Sequence, residues 1–177
     1  MKTKLLTTLI IAGSAAASQF AEAADGQINF TGTVTAQTCT INGGTSGNFT
    51  VALPKVAASS LAAAGQTAGR TPFTISLAAC TPKTGAVRAF FESPNTDAAT
   101  GRLKLDAGGS SNVQIGLLNG SDQSPIKLGM AEATQNSLPA TLADGVATLS
   151  YYAMYYATGA ATAGAANSRV MYTIAYQ

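Results

Sequence analysis

The chain has 177 residues, of which 46% are hydrophobic and only 10% charged, and its formal net charge is +2. That length suits one domain with a real core, and so small a charge indicates neither nucleic acid nor an anionic surface as a partner. With no histidine and two cysteines, the chain cannot build a Ser-His or Cys-His nucleophilic pair and lacks the usual ligand set for zinc.

Residues 1–23 read as a secretory signal, with Lys2 and Lys4 ahead of the apolar run from Leu5 to Ala12 and a small-x-small cleavage site at Ala21, Glu22 and Ala23. The run is shorter than the roughly 20 residues a membrane helix needs, and no other segment reaches that length. The expectation is an exported chain that starts at Ala24 and has no membrane anchor. Directly after that start, Gly26, Ile28, Phe30, Gly32 and Val34 alternate with polar residues and share one strand face. Taken alone, this alternation fits an ordinary first strand of the protein's own sheet.

Thr38 to Ile41 continues as a strand, and Asn42 to Asn48 concentrates turn formers. Phe49, Val51 and Leu53 alternate up to Pro54, which cannot donate to a ladder, so a strand is expected to end there. Lys55 to Gly65 has room for a helical turn, after which Phe73, Ile75 and Leu77 lead into Cys80. In an exported chain Cys39 and Cys80 are expected to be joined, and the chain-entropy model values such a bridge at about 4 kcal/mol.

Val87, Ala89 and Phe91 form the next alternating set, closed by Ser93, Pro94 and Asn95. A short strand is expected around Leu103 and Leu105, with Arg102 and Lys104 on its solvated face. Val113 to Leu117 follows, then a turn from Asn119 to Asp122, then Ile126 and Leu128. The long run to Tyr156 places Leu149, Tyr151, Ala153 and Tyr155 on one face and Tyr152, Met154 and Tyr156 on the outer one. A loop of small residues reaches Gly164, and the chain closes on Val170, Tyr172, Ile174 and Tyr176 in phase. Many short strands separated by turn clusters argue for an antiparallel sandwich. The carboxylates Glu92, Asp97 and Asp106 lie in or beside turn-rich segments, so neither an enzyme nor a cofactor or metal site is expected.

A resemblance rests on these residues in this order: Gly32 and Val34, the pair Cys39 and Cys80, and Val51 to Pro54. It continues through Gly69, Phe73, Ile75 and Leu77, then Tyr155 to Gly159, Gly164 and the penultimate Tyr176. The chain resembles the major subunits of type 1-like fimbriae, the pilins of the Gram-negative chaperone and usher pathway, over essentially its whole mature length. The resemblance implies an all-β, immunoglobulin-like antiparallel sandwich that lacks its last strand. Residues 36–177 would form the pilin domain, and residues 24–35 an extension that donates a strand to the next subunit. Ile28, Phe30 and Val34 would be the buried anchors, and Gly32 would fit where a side chain cannot. The accepting groove would lie along Gly164, Val170, Tyr172, Ile174 and Tyr176.

The same resemblance supplies partners. A periplasmic chaperone would lend a strand to that edge and hold the terminal carboxylate of Gln177 with basic residues, and an outer-membrane usher would then exchange it. Identical subunits and other pilus subunits, including a tip adhesin, would complete a surface fimbria that supports cell adhesion. Two other readings remain at this stage: a minor adaptor of the same pilus, or a self-contained secreted β-sandwich that binds a ligand.

Overall fold

The computed structural model describes residues 27–31, 38–44 and 47–177. Residues 1–34 and 35–177 are two separate units. In the first, Ile28 and Phe30 are 79% and 90% exposed, and Gln27 Nε2 donates to Asn29 Oδ1 at 2.6 Å. The expected signal segment 1–23 and the alternating residues Gly26, Gly32 and Val34 lie outside the described residues.

The second unit is a two-layer antiparallel β-sandwich. Its strands in chain order are β1 (Thr38–Ile41), β2 (Thr67–Thr81), β3 (Gly85–Glu92), β4 (Thr96–Asp97) and β5 (Arg102–Lys104). They continue with β6 (Val113–Asn119), β7 (Pro125–Ile126), β8 (Ala140–Leu142), β9 (Ala147–Ala157) and β10 (Met171–Tyr176). The larger sheet runs β1-β2-β9-β6-β5-β4 with β7 attached to β6, and the smaller runs β10-β3-β8. The alternation read from sequence sets the core. Ile75, Leu77, Leu103, Ile115, Leu117, Leu149 and Tyr151 of the larger sheet are buried in one cluster with Val87, Ala89 and Phe91 of the smaller one. Phe91 meets Tyr151 edge-on, with ring centroids 5.1 Å apart.

One glycine makes the long central strands fit. A Cβ on Gly116 would lie 2.5 Å from the Tyr156 ring, so that ring covers β6 only because position 116 has no side chain. The Arg102 guanidinium lies 4.0 Å from the centroid of the same ring, a cation–π contact on the outer face.

Two expectations need correction. The segment with Phe49, Val51 and Leu53 is extended but belongs to no strand, because no neighbouring strand supplies a ladder to it among the described residues. Met154 faces outward between Tyr152 and Tyr156, yet it is only 6% exposed. Its cross-strand partner is Gly116, which offers no side chain to hold it away from the sheet, and two tyrosines flank it along β9. Tyr152 and Tyr156 themselves are half-buried. The expected helical turn is present as a 3-10 turn at Ala58–Leu61, with Leu61 buried.

Candidate functional site: an apolar groove beside the last strand

β10 pairs with β3 from Met171↔Glu92 to Tyr176↔Val87, and Gln177 extends that ladder by donating its N–H to Ala86 O at 2.8 Å. The other edge of β10 pairs with no strand among the described residues. Along that edge runs a cavity of about 670 Å³. Phe49, Val51 and Leu53 line it on one side, Val170 and Tyr172 on the other, and core residues such as Ile115, Leu117 and Ala153 line it within. A second cavity of about 490 Å³ shares Leu53 with the first and continues past Val56, Tyr155 and Gly164. The segment 47–53 and residues 168–172, at the start of β10, are thus the two banks of one apolar groove whose bed is the hydrophobic core.

The banks touch through Tyr172. Its hydroxyl donates to Gly47 O at 2.5 Å, and its ring meets Phe49 edge-on at 6.1 Å between centroids. Burial pushes the Tyr172 phenol above its ordinary pKa, so it remains a neutral donor. Gly164 sits where a Cβ would come within 2.9 Å of Ser110 N, which explains a glycine at that turn into the groove wall. Of the residues expected along this edge, Gly164, Val170 and Tyr172 line the cavities. Ile174 and Tyr176 pack against the core from the same strand without lining either one. The sequence reading missed the opposite bank: alternation at Phe49, Val51 and Leu53 signalled an extended segment, but periodicity carries no information about whether a partner strand is present.

Cys39 and Cys80 form a disulfide with Cα atoms 4.1 Å apart, and Tyr176 Oη lies 3.0 Å from Cys39 Sγ. The bridge ties the edge strand β1 to the end of β2, behind the groove. With 41 residues of separation, replacing both cysteines by serine should cost about 4 kcal/mol in the chain-entropy model. Urea unfolding of the monomeric subunit measures this, and an unchanged midpoint would show that the bridge adds nothing to stability.

Apolar side chains beside a free backbone edge are the two features that β-strand addition uses, the edge for main-chain hydrogen bonds and the pockets for alternate side chains. The family model described as type-1 fimbrial protein, A matches residues 53–177. The chain belongs to the type-1 fimbrial protein family. Its similarity to the F17 fimbrial protein of Escherichia coli is 51% identity, covering 93% of this chain and 94% of that protein. Similarity to the major fimbrial subunit SMF-1 of Stenotrophomonas maltophilia is 48% identity over 92% of this chain and 98% of that protein. The fold is like that of the P pilus rod subunit PapA, with a TM-score of 0.62 and 19% identity over 78% of this chain and 99% of that one. Fimbrial proteins of this family are structural subunits, not enzymes, in keeping with a site made of apolar walls and a free strand edge.

Proposed function

We propose that this fimbrial protein is the repeating shaft subunit of a surface fimbria and polymerises noncovalently by donor strand exchange. The observation that carries the reading is the apolar groove along the free edge of β10, in a chain whose segment 26–34 has the alternation a groove-filling strand requires. Main-chain hydrogen bonds to β10 would complete the sheet, while Ile28, Phe30 and Val34 of the next subunit enter the cavities. Before assembly the same edge invites wrong partners. A periplasmic chaperone would cap it and hold the Gln177 carboxylate, an outer-membrane usher would exchange the chaperone for the next subunit, and other subunits including a tip adhesin would share the fibre. The name of the relative SMF-1, a major fimbrial subunit, supports a shaft role over that of a minor adaptor.

The test uses material sheared from cells and run unheated on a denaturing gel. The native chain should give a ladder, and Gly32→Leu should give none because the subunit stays folded on its chaperone, a leucine being too large for the groove position that Gly32 would fill. A single monomer band from the native chain would favour a self-contained binding module. A normal ladder from Gly32→Leu would overturn the register.

A further inference from the structure

Strand addition at β10 yields one linear fibre only if no second edge of the sandwich accepts a strand. Among the described residues the other edge strands are short: β1 has four residues, β8 three, β4 and β7 two each. β3 is different. It runs for eight residues, and β8 covers only Gly85, Ala86 and Val87 of them. Beyond Val87, the side of β3 turned away from β10 has backbone groups that no strand pairs.

Side chains pair them instead. Ala89 N–H donates to Tyr151 Oη at 3.3 Å, and that oxygen lies 3.2 Å from Ser137 Oγ. Phe91 N–H donates to Gln135 Oε1 at 2.8 Å, and Gln135 Nε2 donates back to Phe91 O at 2.7 Å. One primary amide thus reproduces the reciprocal N–H and C=O bonds that an antiparallel neighbour would make. Gln135 is 0% exposed. Its segment is fastened on both sides: Asn119 Nδ2 donates to Asn136 O at 2.7 Å and Leu138 N–H donates to Asn119 Oδ1 at 2.9 Å. Arg88 and Glu132 form an ion pair at 2.9 Å ahead of it.

We propose that Gln135, backed by Ser137 and Tyr151, seals the second edge of β3 and so confines strand addition to β10, which makes it a specificity-determining residue for assembly. The inference rests on the donor strand reading. A merely structural Gln135 would affect stability alone, whereas a seal also sets how many strands the subunit takes.

The stoichiometry of bound strand separates these cases. The full exported chain is refolded at high dilution with an excess of a peptide of residues 25–35, and complexes are counted by native mass spectrometry. The native chain should bind one peptide and Gln135→Met two, since methionine fills similar space but leaves Phe91 N–H and O open. Gln135→Glu provides the check if the methionine variant fails to fold. At about pH 4 a buried, neutral carboxyl group accepts and donates as the amide does, whereas its ionised form, whose onset burial shifts well above the ordinary Glu range, repels Phe91 O. That variant should therefore pass from one bound peptide to two as pH rises. One peptide on every variant at every pH, with only a lower melting temperature, would overturn the seal. No peptide on the native chain would instead overturn the donor strand reading beneath it.

Discussion

An exported chain from which residues 24–35 have been removed should be unable to polymerise, and a peptide of residues 25–35 should convert it into a stable monomeric complex. The groove walls include Phe49, 40% exposed, and the half-buried Val51, Leu53, Val170 and Tyr172, so a chain with nothing laid over them keeps apolar surface in contact with water. Burying Ile28, Phe30 and Val34 contributes about 1.5 to 3 kcal/mol each before the cost of ordering the strand is subtracted. Peptide that binds the folded chain and not the unfolded one stabilises it by about 2.7 kcal/mol at a free concentration of 100 Kd. For a domain of this size that raises the melting temperature by roughly 5 to 10 °C. A peptide in which Ile28 and Phe30 are replaced by aspartate should neither bind nor raise the melting temperature, because two carboxylates would have to enter the apolar cavities unpaired. Polymerisation of the truncated chain, or a melting temperature indifferent to the native peptide, would mean that the sandwich is already complete.

The features that could be read in the sequence are those in which a side-chain pattern maps onto one face of one element. Val87, Ala89 and Phe91, or Leu149, Tyr151 and Ala153, announce both a strand and its buried side, and all six are in the core. The cysteine pair was legible because an exported chain with two thiols leaves little choice, and the disulfide is present. Relations between elements were less legible. Phe49, Val51 and Leu53 alternate like a paired strand, yet they form a groove bank, since pairing depends on what lies alongside. Gln135 and Asn119 look like ordinary polar loop and turn residues. Each is buried because backbone groups elsewhere in the chain, those of Phe91 for Gln135 and of Asn136 and Leu138 for Asn119, need its amide, and no local pattern records that need. Met154 followed its phase to the outer face, but burial there depended on a glycine in a different strand.

If donor and groove are separate halves of one joint, two chains that each fail to polymerise should together make a dimer and nothing longer. The first carries Ile28→Asp and Phe30→Asp, which spoil its donor strand and leave its groove, in residues 35–177, untouched. The second keeps a native donor strand but has an additional copy of residues 25–35 attached after Gln177 through a flexible Gly/Ser linker. A short linker of that kind holds the attached strand at an effective concentration in the millimolar range, so it occupies its own groove ahead of any strand from solution. Each chain alone should remain monomeric. Mixed, the second can donate to the first and the first can donate to nothing, so mass measurement by light scattering should give a one-to-one dimer that resists separation on an unheated denaturing gel. The effect is all or none, because each interface needs one intact strand and one open groove. Fibres in the mixture would show that subunits join through some surface other than the groove along β10, and two unchanged monomers would show that segment 26–34 is not the strand that fills it.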